Sequence, residues 1–226
     1  MQSLNSPNHD ERRAAISMLV LHYTGMETGA AAIERLCDPA AKVSAHYVVE
    51  EDGRVFQLVD EARRAWHAGL GAWRGCADIN SASIGIEIVN GGHEFGLPEF
   101  PDVQMEAVIA LSRDIVGRYA IKPWNVIGHS DMAPDRKSDP GERFDWARLA
   151  ECGVSDWPTR PVALPSEAAP AALSKIGYHF DTDSAQSLSL VVTAFQRRFR
   201  PDQLNGRLDD ETLGIIGAVQ RAWAPG

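Results

Sequence analysis

Cysteine is scarce in this chain, and Cys37, Cys76 and Cys152 lie far apart. They form no C-x-x-C pair, which argues against a cysteine zinc site, and free thiols of a reduced protein are the expectation. Long apolar runs are lacking too. Met18-Leu19-Val20-Leu21 is much too short to span a membrane. The segment from Met1 to Arg13 is polar and lacks the apolar stretch of a secretory signal. A cytoplasmic location is therefore expected, or a periplasmic one if a leader has been trimmed away. Positive charge is in short supply. Lys and Arg number 22 against 31 Asp and Glu, for a net charge of −9. Such a chain offers no basic field to a nucleic acid or an anionic membrane surface, although a local basic cleft stays compatible with it.

What is present suits a globular protein. The 226 residues are 44% hydrophobic and 23% charged, enough for one good core and a small second unit. Residues 1–15 read as an extended arm. Ile16 to Tyr23 is apolar and β-branched enough for a buried strand. The Ala-rich stretch Gly29 to Cys37 reads as a helix stopped by Asp38-Pro39. His46–Glu50 and Arg54–Leu58 flank Glu51-Asp52-Gly53, a hairpin turn signal. Residues 62–80, with Gly69, Gly71 and Gly75 among Trp66, His67 and Trp73, read as a long functional loop. Ser83 to Val89 and Val126 to Gly128 are strands, Val103 to Tyr119 is an amphipathic helix, and Asp145 to Ala150 is a short one. Residues 157–172 carry Pro158, Pro161, Pro165 and Pro170 and read as a semi-rigid linker. Beyond it, Leu188–Phe199 and Asp209–Trp223 read as helices around an Asn205-Gly206 turn. Arg197, Arg198 and Arg200 are expected on a solvated helix face.

Four side chains stand where chemistry is easiest to hold. His22 ends an apolar strand, and Glu87 lies inside Ser83-Ile84-Gly85-Ile86-Glu87-Ile88-Val89. His129 follows Val126-Ile127-Gly128, and Asp139 sits in the loop Lys137-Ser138-Asp139-Pro140-Gly141. Two histidines and a carboxylate leave a fourth zinc position open for water, the arrangement of a catalytic site. Each also has a plain structural reading. His22 could be an ordinary strand-end histidine, His129 a strand cap with Asp131 as the ligand in its place, and Asp139 a turn residue. Glu87 is harder to dismiss, because an unpaired carboxylate in an apolar strand is costly without a partner or a role. Period-two alternation puts Glu87 on one face with Gly85 and Val89, away from Ile86 and Ile88.

His22-Tyr23-Thr24, Ser44-Ala45-His46-Tyr47, Trp66-His67-Ala68-Gly69, Ser83-Ile84-Gly85-Ile86-Glu87, Gly128-His129-Ser130-Asp131 and Lys137-Ser138-Asp139-Pro140-Gly141 occur in this order. Together they resemble the type 2 N-acetylmuramoyl-L-alanine amidases, relatives of the peptidoglycan recognition proteins, over roughly residues 16–150. The tail segments Ile176-Gly177-Tyr178, Val192 to Phe199 and Asn205 to Thr212 look like a three-helix peptidoglycan-binding domain, with Asp209 or Asp210 as helix cap. The two-domain combination is closer to the broad-specificity amidases of wall recycling than to the single-domain, anhydro-muropeptide-specific form.

The resemblance implies a mixed α/β fold, a central mixed sheet flanked by helices with a zinc cleft, and a small three-helix C-terminal domain. It divides the chain into a catalytic domain with its arm (1–156), a Pro/Ala-rich linker (157–172) and a peptidoglycan-binding-like domain (173–226). It implies one Zn²⁺ held by His22, His129 and Asp139, Glu87 as general base, and Lys137 as the cation beside the reacting carbonyl. Trp66, His67, His46 and Asn90 are the expected substrate-binding or supporting residues, while His9, His93 and His179 are expected at the surface. The implied substrate is peptidoglycan or its muropeptide fragments, and a monomer is favoured. A muropeptide sensor with a vestigial site and a phage-type endolysin are the competing readings.

Overall fold

The computed structural model describes residues 2–158 and 160–223. Its centre is Met18–Tyr23 (β3), whose apolar residues are buried and whose alternation sends side chains to two different layers. Ser83–Ile88 (β7) runs parallel to it, pairing Met18 with Ser83, Val20 with Gly85 and His22 with Glu87. Val126–Gly128 (β8) lies parallel on its other side. The hairpin expected from Glu51-Asp52-Gly53 forms between Tyr47–Val49 (β4) and Val55–Gln57 (β5), and β4 joins β7 in parallel. The N-terminal segment pairs with the body of the protein. Gln2–Ser3 (β1) adds to β5, and His9–Glu11 (β2) pairs antiparallel with Arg63–Ala65 (β6), inside the stretch read as loop. The main sheet is mixed and six-stranded, in the order β1-β5-β4-β7-β3-β8.

One face of the sheet presents Leu19, Leu21, Ile84, Ile86 and Ile88 to Asp102–Tyr119 (α3), through Met105, Val108, Ile109 and Ile115. Gly29–Cys37 (α1), capped by Thr28, supplies Leu36 to a smaller cluster with Val48, Phe56 and Leu58. The site's side chains stand on the other face. The four-residue helix Ile79–Ala82 (α2) leads into β7, His129–Met132 (α4) follows β8, and Trp146–Glu151 (α5) packs near the sheet end.

Met18, Val20 and Ile127 on that second face share a single apolar cluster with Ala169–Ile176 (α6), Ala185–Phe199 (α7) and Asp210–Ala222 (α8). Helix α6 begins inside the proline-rich stretch. Pro170 lies in its first turn, where a missing N–H costs no hydrogen bond. Val162 donates to the carbonyl of Gly214, and Leu164 packs on the common cluster, so this segment is laid against the body. Asp209 caps α8, accepting from Thr212 N at 2.9 Å. The arginine stripe is not a solvated face. Arg198 is 3% exposed and paired to Asp131 at 3.0 Å, while Arg200 bonds Asp209 at 2.7 Å. Each guanidinium finds a carboxylate distant in sequence or across a turn, which helical periodicity does not reveal.

Candidate metal centre

His22, Glu87 and the Gly128–His129 junction all lie at the C-terminal ends of parallel strands, where open α/β sheets leave a crevice. The His22 and His129 Nδ1 atoms are 2.9 Å apart. Asp139 Oδ2 lies 2.9 Å from the first and 3.0 Å from the second. All three side chains are buried. Ser130 N donates to the Asp139 carbonyl at 2.9 Å, tying the His129 turn to the Asp139 loop through the backbone.

The surrounding hydrogen bonds fix which ring nitrogens carry protons. His129 Nε2 lies 2.9 Å from the Ala68 carbonyl, which can only accept, so Nε2 holds the proton and Nδ1 the lone pair. For His22 the assignment passes through two partners. Ser83 Oγ donates to the Ile79 carbonyl at 2.6 Å and therefore accepts from His67 Nε2 at 3.2 Å. His67 Nδ1 is then an acceptor for His22 Nε2–H at 3.0 Å, which leaves a lone pair on His22 Nδ1. Two imidazole lone pairs and a carboxylate oxygen thus converge with no proton between them. That donor set calls for a cation. A tetrahedral zinc with bonds of about 2.0–2.1 Å separates its ligands by roughly 3.4 Å, so this triangle needs to open by only a few tenths of an ångström. The residues fit a zinc ion, with the second nitrogen of each histidine anchored as metal-ligating imidazoles require.

Gly85 permits this arrangement. A Cβ there would lie 2.4 Å from the His67 ring, so only glycine lets the imidazole reach between Ser83 and His22. Two residues further along the same face stands Glu87. Its Oε2 is buried without a hydrogen-bond partner, and its carboxyl is raised well above its usual range, by burial first and then by the Asp139 charge, with Lys137 opposing. His22 is lowered to about 4, by burial and then by His129, against the pull of Asp139. The cleft above these groups has a volume of about 410 Å³ and is lined by Trp66, His67, Glu87, His129, Lys137 and Asp139, with Tyr23, Arg35, His93 and Arg136 around them.

Residues 12–142 match the protein family described as N-acetylmuramoyl-L-alanine amidase. This chain belongs to that family. It is 37% identical to N-acetylmuramoyl-L-alanine amidase AmiD of Escherichia coli, over 93% of this chain and 86% of the relative. It is 36% identical to 1,6-anhydro-N-acetylmuramyl-L-alanine amidase AmpD of Enterobacter cloacae, over 64% of this chain and 85% of that protein. The solved structure of E. coli AmiD with the substrate anhydro-N-acetylmuramic acid-L-Ala-D-γ-Glu-L-Lys covers 95% of this chain and 93% of its own, with a TM-score of 0.84 at 35% identity. AmpDh3 of Pseudomonas aeruginosa in complex with anhydromuramic pentapeptide gives 0.85 at 32% identity, over 93% of each chain.

In this amidase Trp66 and His67 reach the cleft, and the Trp66 indole N–H is buried without a partner. His46 and Asn90 do not reach it. His46 is fully buried, its Nδ1 accepts from Gly85 N at 2.9 Å, and its Nε2 faces Arg12 and the Arg63 carbonyl. Asn90 is spent on its own turn, bonding the Pro98 carbonyl and the Gly92 amide. Asp131 is no ligand, since its oxygens take Gly128 N, Tyr178 and Arg198. His93, expected at the surface, is exposed and stands at the cleft rim. Its Nδ1 is 2.9 Å from the Tyr23 hydroxyl and its Nε2 is 3.0 Å from Glu142. The one signal for it in the sequence is the Gly91-Gly92 turn just after the Glu87 strand.

Proposed function

We propose that this amidase hydrolyses the amide between N-acetylmuramic acid, or its 1,6-anhydro form, and L-alanine, with one zinc ion held by His22, His129 and Asp139. The observation that carries this reading is the convergence of three metal-binding lone pairs beneath a carboxyl that has no partner of its own. Bound zinc lowers the pKa of a coordinated water toward about 7 and polarises a carbonyl. Glu87 accepts the proton of the attacking water and passes it to the departing L-alanine nitrogen, leaving a carboxylate on the lactyl group and a free amine on the peptide. Its raised pKa suits a group that must both take and return a proton. Lys137, exposed on the cleft wall, offsets the charge on the tetrahedral oxyanion, a contribution of roughly 3 kcal/mol for one well-placed donor. Arg35, Arg136 and Lys137 give the cleft cationic side chains within an acidic chain, which favours a stem peptide bearing carboxylates.

The test is product analysis by mass spectrometry after incubation of the zinc-loaded protein with soluble anhydro-muropeptides and with intact sacculi. Release of peptides with a free L-alanine amine is expected from both. His129→Ala should lose both zinc and turnover. Full zinc occupancy in that variant would overturn the ligand assignment, and zinc uptake by the parent without turnover on either substrate would favour a sensor.

A further inference from the structure

The tail reaches the support of the metal centre at Asp131. Asp131 lies two residues beyond His129, in the short helix α4, and is 1% exposed. Its Oδ2 accepts from Gly128 N at 2.9 Å, which closes the turn that aims His129. The same oxygen accepts from Arg198 of α7 at 3.0 Å, and Oδ1 accepts from the Tyr178 hydroxyl at 2.7 Å. Arg198 and Tyr178 are each 3% exposed. The Arg198 guanidinium lies 4.0 Å from the Trp146 ring centre, with Phe199 and Trp223 also beside it, while its Nε and Nη2 have no hydrogen-bond partner.

A buried guanidinium with two unpaired nitrogens is a poor way to gain stability. Its desolvation offsets much of the attraction to one carboxylate, and an apolar side chain would pack at lower cost. What the pair provides is direction. Asp131 holds the turn that carries one ligand, Ser130 N links that turn to the carbonyl of Asp139, and Ala72 N bonds the Met132 carbonyl at the far end of α4. Displacement of Asp131 therefore moves His129 relative to Asp139. We propose that Arg198 and Tyr178 are positioning residues for the metal centre, so that metal affinity, and not only folding, depends on the C-terminal helices. This rests on the reading that His22, His129 and Asp139 bind zinc.

The test uses the full chain. The zinc dissociation constant is measured by competition with a chromophoric chelator, and melting temperature is recorded with and without zinc. The parent should bind one zinc per chain, and failure there would sink the metal reading and this inference together. Arg198→Met should weaken zinc binding by up to about 10-fold, the low end of the range found when direct partners of metal ligands are removed. Tyr178→Phe, which deletes only a hydroxyl, should weaken it less but in the same direction. In both variants melting should fall further for the zinc form than for the metal-free form. The losses of Arg198→Met and Asp131→Asn should be less than additive in the double variant, since both act through one contact. Unchanged zinc affinity with an equal fall in melting temperature in both forms would overturn the proposal and leave a structural pair only. Should Arg198→Met fail to fold, Tyr178→Phe decides, and parental zinc affinity in that variant overturns it.

Discussion

At Glu87 the fold and the proposed reaction make opposite demands. A carboxyl whose pKa is higher in the folded chain than in the unfolded one stabilises the fold below the unfolded value of about 4.3, and that contribution is lost as pH rises through the folded value. Glu87 is raised in this way by burial and by Asp139, so at a pH well above the unfolded value it costs the metal-free protein stability. Glu87→Gln should therefore raise the melting temperature of the metal-free chain at neutral pH while lowering turnover by about 10²–10⁴-fold with zinc retained. A lower melting temperature would contradict the linkage, and near-parental turnover would remove Glu87 from the mechanism. The residues at this centre were legible because each ends or interrupts an apolar strand, as His22, Glu87 and His129 do. What the sequence left open is a position that depends on a distant partner. His93 owes its place to Tyr23 and Glu142, and His46 is withdrawn from the cleft by Arg12 and Gly85.

Among elements, α3 is fastened to the sheet through one acid. Glu61 accepts from Arg118 and from Tyr119 near the end of α3, and from Tyr47 of β4 at 2.8 Å. Burial pushes its carboxyl up, but these partners, Arg118 foremost, bring it down to about 2. The stabilisation is complete above the unfolded value of about 4.3 and is lost as pH falls toward 2. Glu61→Gln should lower unfolding free energy by about 2–3 kcal/mol at neutral pH, by the loss of charge-assisted bonds, and the deficit should shrink on acidification. Denaturant titrations at neutral and acid pH would show this, and a deficit independent of pH would refute it. Local signals served well for elements that local chemistry sets, such as α1 between Thr28 and Asp38 or the β4–β5 hairpin. They misled in the proline-rich stretch. The same composition that suits an extended spacer also suits the start of α6, and contacts such as the packing of Leu164 and the Val162–Gly214 bond distinguish the two.

For the whole molecule, the tail completes the core on the face that carries the metal centre. Leu213, Ile216, Val219 and Trp223 of the last helix and its end are buried in the cluster that includes Met18, Val20 and Ile127. At about 1.5–3 kcal/mol each, four such side chains are comparable with the entire stability of a typical domain, about 5–15 kcal/mol. A chain ending at residue 160 should melt far below the parent and lose activity on soluble muropeptides and on sacculi alike. Selective loss on sacculi, with melting unchanged, would instead identify the tail as a tethered wall binder. The shared cluster also orders events during synthesis. Every group of the proposed metal triad has left the ribosome once Asp139 emerges, yet the side chains that seal the layer behind them follow later, from Val191 to Trp223. At about 5–20 residues per second the growing chain spends seconds with an uncovered apolar sheet face. A new molecule is therefore expected to act as a hydrolase only once α8 has been made, and chains released before it are expected to be inactive and prone to aggregate.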